Sequence, residues 1–206
     1  MSVARNAGAG AAPDVSLIDP MSTSGIVLPY RGVEPRIAPD VFLAPGACVI
    51  GDVEIGEGAN IWFQCAVRGD VNSIRIGART NLQDGTIVHV SRRDNGQAEI
   101  EEDVTVGHKV LLHACRLHAR SFVGMGATVM DDAEVETDAM LAAGALLTPR
   151  KRVPSGALWA GRPAVHMRDL TPEEIAYNTG TAAHYSRMAA EYREALGLRM
   201  SDTVSV

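Results

Sequence analysis

The sequence predicts an all-β solenoid of short strands followed by one C-terminal helix. Two observations carry that expectation: an aliphatic residue that returns every sixth position, and a capped helical start near residue 171. From Ile37 the aliphatic leads are Leu43, Val49, Ile55, Ile61 and Val67, and after a three-residue excess Ile76, Leu82 and Val88 follow. Beyond the polar stretch Ser91 to Gln97 the count resumes at Ile100, Val106 and Leu112. It drops one residue, then runs from Leu117 through Val123, Val129, Val135, Leu141 and Leu147 to Val153. Four residues after most leads stands a small or β-branched residue, as in Ile55-Gly-Glu-Gly-Ala59, which suits a tight corner. A period of six fits neither the helical repeat of about 3.6 nor the two-residue alternation of a simple strand. It describes short strands separated by turns, each repeat burying the face of its neighbour.

After Trp159-Ala-Gly-Arg-Pro163 the pattern changes. Thr171 is placed to be an N-cap, Pro172 the first helical residue and Glu174 the return partner of a capping box, with Leu170 stapling onto Ile175. The helix should run to about Leu196 and stop at Gly197, and Ile175, Ala182, Tyr185, Met188 and Ala189 could lie on the solenoid.

Composition excludes several classes. A net charge of −6 without clustered Lys and Arg gives no electrostatic footprint for nucleic acid. No apolar run approaches the roughly 18–20 residues of a membrane span. Cys48, Cys65 and Cys115 are odd in number and form no CxxC motif, so a reducing, cytoplasmic setting is expected rather than a disulfide framework. Residues 1–24, rich in Ala, Gly, Ser and Asp, are expected to form a disordered tail.

The hexads resemble the left-handed parallel β-helix family. That resemblance implies three hexads per triangular coil of roughly 18 residues, leads pointing inward, and about seven coils. The expected organisation is a tail over 1–24, a β-helix metal-binding domain over 25–168, and a helix with a short tail over 169–206. Counting leads assigns faces: Val67, Val88 and Leu112 lead face A, Leu82 and Val106 face B, and Ile76 and Ile100 face C.

His89 and His113 each follow a face A lead by one residue, in equivalent positions of neighbouring coils, and should stack; their spacing of 24 exceeds one coil by the polar excursion at Ser91–Gln97. A metal could join the pair at about 2.0–2.1 Å per nitrogen. His108, two after Val106, belongs to face B, so one chain cannot easily supply all three imidazoles. If a neighbouring copy packs its face B on this face A, three converge, and the head-to-tail contact closes into a homotrimer with metal at each interface. Arg68 lies under His89, and Gln83 and Asp84 lie beneath His108, so Arg68 should face Asp84 across that seam. His118, His166 and His184 lack such company and read as structural or exposed; Gly51, Gly56 and Gly107 read as corner residues, and Cys115 as no ligand.

Arg68-Gly-Asp70, Asn81-Leu-Gln83-Asp84-Gly85 ending in His89, and Gly107-His108-Lys-Val-Leu-Leu-His113 together resemble the γ-class carbonic anhydrase signature. The resemblance implies zinc (or Fe2+ or Co2+) held by His89, His108 and His113, and reversible hydration of CO2 to bicarbonate by metal-bound hydroxide at trimer interfaces. It also implies intersubunit salt bridges from Arg68, Asp70 and Asp84, and Gln83 orienting the hydroxide. Two departures stand out. Val71 replaces a glutamate of the best-known pattern, and the loop Ser91–Gln97 is short and carries Arg92 and Arg93 where fully active relatives have a longer acidic loop, which implies weak turnover. Two rival classes share the fold: an acyltransferase or thioesterase acting on coenzyme A thioesters, and a non-catalytic assembly subunit.

Overall fold

The computed structural model describes residues 25–198; the expected tail over 1–24 and the chain from 199 onward lie outside the described residues. The period of six becomes a left-handed β-helix of about seven coils. Its face B is a stack of strands led by Leu43, Ile61, Leu82, Val106, Val123 and Leu141, in parallel register, with Ala157–Gly161 added at the end. Faces A and C belong to one 12-stranded sheet. They are continuous because the strands Cys48–Ile55 and Ala66–Ile76 run round the corner between them. The longer of the two absorbs the three-residue excess between Val67 and Ile76, and the register shift between Gly51 and Val53 takes up the mismatch.

The leads point inward without exception from Leu43 on, at 0–3% exposure, and together form one core. The corners differ in one respect from expectation. The left-handed backbone that turns most corners falls three residues after the lead, as at Gly46, Gly58, Gly85 and Gly126, and at Gln64, Arg79, Lys109, Arg120, Asp132, Asp138 and Arg150, whose φ values lie between 57° and 61°. The small residue one position later is a second inward side chain; Ala47, Ala59, Ala127, Ala133, Ala139 and Ala145 are all buried. Its size is set by the narrow interior of the triangle rather than by the turn. Gly51 does need a positive φ, of 77°, but Gly56 and Gly107 do not. A Cβ on Gly107 would sit 2.7 Å from the backbone nitrogen of Met125, so the next coil's close approach is what excludes a side chain there.

The chain leaves the last coil through an antiparallel hairpin, Ala157–Gly161 with Ala164–Asp169, which the hexad count does not foresee. Helix α1, Pro172–Ala195, then folds back along face B. Its start is as the sequence predicts: Thr171 accepts from the Glu174 amide, and the Glu174 carboxylate accepts from the Thr171 amide. Arg168 clamps the same carboxylate with two hydrogen bonds of 2.7 Å, which with the Thr171 amide holds it down to about 2. The face that docks is built on Asn178, Ala182, Tyr185 and Ala189, spaced by three and four, with Tyr185 and Met188 both half-buried against the cluster of Phe42 and Trp62, and Ile175 half-buried near the start of the helix. Tyr185 and Tyr192 close edge-on over Trp62, at 5.4 and 5.2 Å between ring centroids, and Phe42 packs on the same indole at 5.3 Å. Among the described residues no helix is long and apolar enough to cross a membrane.

Candidate metal centre

Face A presents Arg68, His89 and His113 as a vertical file, because the pairings Val67–Val88 and Val88–Leu112 carry their successors into register: Arg68 beside His89, and His89 beside His113. The two imidazole centroids are 5.3 Å apart and the rings are tilted by 49°. Both side chains are half-buried, so each can face solvent or a neighbouring subunit. Outward from the same strands project Ile87 and Leu111, 46% and 37% exposed and paired in register, which gives this face a small apolar patch beside the imidazoles.

Each imidazole is backed by a carboxylate. His89 Nε2 lies 3.0 Å from Asp70 Oδ1, while the other oxygen of Asp70 accepts from Arg68. Burial pushes the Asp70 carboxyl up, but the hydrogen bonds from His89 and Arg68 outweigh it and leave the group below the usual carboxylate range. His108, on face B, has Nδ1 2.9 Å from Asp84 Oδ2. His113 Nδ1 lies 2.6 Å from Asp131 Oδ1. In all three cases one ring nitrogen is engaged and the other takes no part in that contact. A carboxylate behind an imidazole is the arrangement found behind metal-binding histidines, where it fixes the tautomer and raises ligand basicity. The donor set therefore fits a divalent ion of the zinc type.

Among the described residues, no group of three or more His, Cys, Asp or Glu side chains within one chain could hold a metal ion. Two imidazoles meet on face A; the third candidate, His108, stands on the neighbouring face with Asp84. Gln83, one position before Asp84, is nearly fully buried and donates from Nε2 to Asn81 Oδ1 at 3.2 Å. Gln83 and His108 border a cavity of about 650 Å³ between face B and α1, whose walls are largely apolar and include Phe122, Met140 and Tyr177.

Arg68 pairs with Asp70 within its own chain, a contact additional to the one expected with Asp84 of a neighbouring copy. One sequence expectation needs correction. His118 is not without company: its Nδ1 lies 3.3 Å from Glu101 and its Nε2 3.0 Å from Glu134, in a ladder of acids and arginines on face C. The residue that sequence reasoning missed is Asp131. It follows the next face A lead, Val129, by two, whereas His113 follows Leu112 by one, so the counting that stacked the histidines sets Met130 beside His113 and leaves Asp131 to reach back with its side chain. The arginines of the Ser91–Gln97 loop are not equivalent either, since Arg93 bridges Asp131 at 3.0 Å and Asp132 at 2.9 Å.

The three cysteines play no part in the site. Burial pushes the Cys65 and Cys115 thiols up to about 12, so both are inert at neutral pH.

Comparison with known proteins places this architecture. No family model matches the chain. Over 159 residues it is 48% identical to a protein named Gamma carbonic anhydrase 2, mitochondrial, from Arabidopsis thaliana, a match that covers 75% of this chain and 57% of the relative. The chain thus spans little more than half the length of that plant protein. Over 174 residues it is 42% identical to Protein YrdA of Escherichia coli, covering 82% of this chain and 95% of YrdA. A protein named Carbonic anhydrase from Geobacillus kaustophilus is 42% identical over 150 residues, covering 73% and 81% respectively. The crystal structure of a hexapeptide transferase family protein from Anaplasma phagocytophilum superposes with a TM-score of 0.78 at 47% identity, over 81% of this chain and 98% of that one. A Bacillus cereus protein described as a putative acetyltransferase superposes with a TM-score of 0.81 at 35% identity, over 84% and 99%. The identity extends over nearly the whole of YrdA and most of the Geobacillus protein, and the same coil architecture is shared with the solved structures; the chain belongs to the γ-carbonic anhydrase-like family of hexapeptide-repeat β-helix proteins.

Proposed function

We propose that this protein hydrates carbon dioxide reversibly at metal centres shared between the subunits of a homotrimer, each built from His89 and His113 of one subunit and His108 of the partner subunit. Zinc is the favoured ion, with Fe2+ or Co2+ as alternatives that suit the same imidazole donors. The observation that carries this reading is the pair of imidazoles 5.3 Å apart on face A, each backed by a carboxylate, while the third backed imidazole stands on the adjoining face. A head-to-tail packing of the exposed His108 and Asp84 corner of face B, beside α1, on a neighbour's face A would bring all three to one seam, and Ile87 and Leu111 supply apolar surface for it.

Three neutral imidazoles leave a bound divalent ion with its charge uncompensated, which supplies the Lewis acidity that makes water a nucleophile near neutral pH. The chain's own residues do the rest. Gln83, fixed through Nε2 by Asn81, presents its carbonyl oxygen as an acceptor that orients the attacking water. Asp70 holds His89 through one oxygen and Arg68 through the other, so the face A ligand and the basic group at the seam are set by one carboxylate. Packed against a partner's face B, Arg68 is placed to engage Asp84 of the partner subunit as well as Asp70, which would set the register of the ring. Export of the proton is the weak step, because Val71 cannot carry a proton and Arg93 is tied to Asp131 and Asp132. Turnover should accordingly be slow.

Elemental analysis of purified protein should find close to one zinc or iron per subunit, and stopped-flow CO2 hydration should fall to background in His113→Ala. Equal rates for the two proteins would remove the enzymatic reading and leave a non-catalytic assembly role. One observation favours a second reading: the apolar cavity beside His108 and Gln83 far exceeds the volume of CO2. Such a cavity supports hydrolysis or transfer of an acyl thioester at the same centre, and a panel of acyl-coenzyme A esters assayed with and without chelator would reveal it.

A further inference from the structure

We infer that Asp131 is the positioning residue that decides which nitrogen of His113 faces the shared centre, and that Arg93 holds Asp131 in place from the loop. The inference rests on the metal-binding reading above but concerns groups that the resemblance does not assign. Asp131 Oδ1 is 2.6 Å from His113 Nδ1. An ionised carboxylate can only accept, so a neutral imidazole facing it must carry its proton on Nδ1 and leave the lone pair on Nε2. That is the tautomer in which Nε2 can ligate a cation.

The carboxylate is fixed from several sides. Its backbone carbonyl accepts from Arg150 N at 3.0 Å, and the next residue, Asp132, turns the corner at φ 58° while its amide donates to Ala114 O at 2.8 Å. The other oxygen of Asp131 accepts from Arg93 Nη2 at 3.0 Å, and Arg93 Nη1 reaches Asp132 at 2.9 Å. Asn95 adds a second link to Asp132 at 2.9 Å. The loop is itself pinned, since Asn72 Nδ2 donates to the carbonyls of Ser91 and Arg93 at 3.2 and 2.9 Å. The six-residue excursion after His89 therefore folds past the edge of the His113 coil and fastens on the coil beyond it. The loop that the family comparison would read as a truncated shuttle serves here as a clamp on the carboxylate behind His113.

Two readouts test this. The first needs no metal: 15N signals of His113, measured in metal-free protein at a pH where the imidazole is neutral and identified by their loss in His113→Ala. The wild type should show the Nδ1–H tautomer alone, Asp131→Ala a mixture shifted towards Nε2–H, and Asp131→Asn, whose amide carbonyl can still accept, an intermediate. The second is zinc affinity by chelator competition. Asp131→Ala should weaken it about tenfold to a hundredfold, whereas Asp132→Asn, which removes only the neighbouring carboxylate's charge and leaves both Arg93 and His113 on Asp131, should stay within about twofold of wild type. An unchanged tautomer in Asp131→Ala, or equal loss of affinity in both variants, overturns the proposal. If the tautomer shifts as expected but wild type holds no zinc, the positioning stands and the metal reading falls. If wild type binds zinc tightly and Asp131→Ala leaves tautomer and affinity unmoved, the positioning falls alone.

Discussion

Replacing Gly107 by alanine tests how tightly the coils that carry the candidate site are packed. The added Cβ would lie 2.7 Å from Met125 N, 3.0 Å from Met125 Cα and 3.1 Å from Gly124 C, all backbone atoms, and so about 0.7 Å inside the 3.4 Å at which ordinary contact begins. Backbone cannot rotate away as a side chain can, so the two coils must separate. The hydrogen bonds that join them flank the clash: Gly107 N to Val123 O and Gly126 N to His108 O, both 2.8 Å. Overpacking costs about 1–3 kcal/mol, and loosening those two bonds adds roughly 1 kcal/mol. The sum is a loss of about 2–4 kcal/mol, or about 5–15 °C in melting temperature for a chain of this size. Gly126→Ala is the control: φ there is 67° but nothing lies within 4 Å of the new Cβ, so only the left-handed penalty of about 1 kcal/mol applies. Melting followed by circular dichroism at matched concentration ranks the two. Equal losses, or a Gly107→Ala protein as stable as the wild type, would show that the coil spacing has slack and that the steric reasoning is wrong.

Other perturbations have equally definite outcomes. Leu112→Ala empties a fully buried lead directly before His113 and should cost about 2–5 kcal/mol in denaturant unfolding. Thr171→Ala removes the N-cap of α1 and should cost about 1 kcal/mol, measurable as a lowered melting temperature with unchanged zinc content. Asp70, Glu101 and Glu134 all titrate below their ordinary range in the folded protein. Their contribution is therefore fully present above the unfolded carboxylate range near pH 4 and is lost as pH falls through the lower folded values. Melting temperature should be flat from pH 7 to about pH 5 and drop below about pH 4; a drop already complete at pH 5 would contradict that sign.

Much of this was legible because a hexad is a ruler. Once the leads were found, Val67, Val88 and Leu112 had to stack, and with them Arg68, His89 and His113. The capping residues Thr171, Pro172 and Glu174 were equally legible, since they act within one turn. What escaped was whatever depends on more than one coil at once. Asp131 stands one coil beyond His113, yet an aspartate at a corner looks like a turn residue until its side chain is seen to reach back 2.6 Å to an imidazole. Glu101 follows the face C lead Ile100 by one as His118 follows Leu117, so the ruler did set those two side by side; what it left out is that Glu134, just before Val135, reaches diagonally to the other ring nitrogen. The register of Gly107 was likewise visible, but the reason for its glycine was not, because close approach leaves no mark on a single sequence.

Whether the centre is shared between subunits can be read by mixing two defective chains. Alone, His113→Ala should lack a working face A and His108→Ala a working face B, so neither should bind zinc tightly or hydrate CO2. After denaturation and joint refolding in equal amounts, a head-to-tail ring should recover activity and bound zinc at about a quarter of its seams, those pairing the intact face A of one variant with the intact face B of the other. No recovery from a mixture that reassembles into trimers would place all three imidazoles in one subunit, or none of them in the chemistry, and would contradict the account.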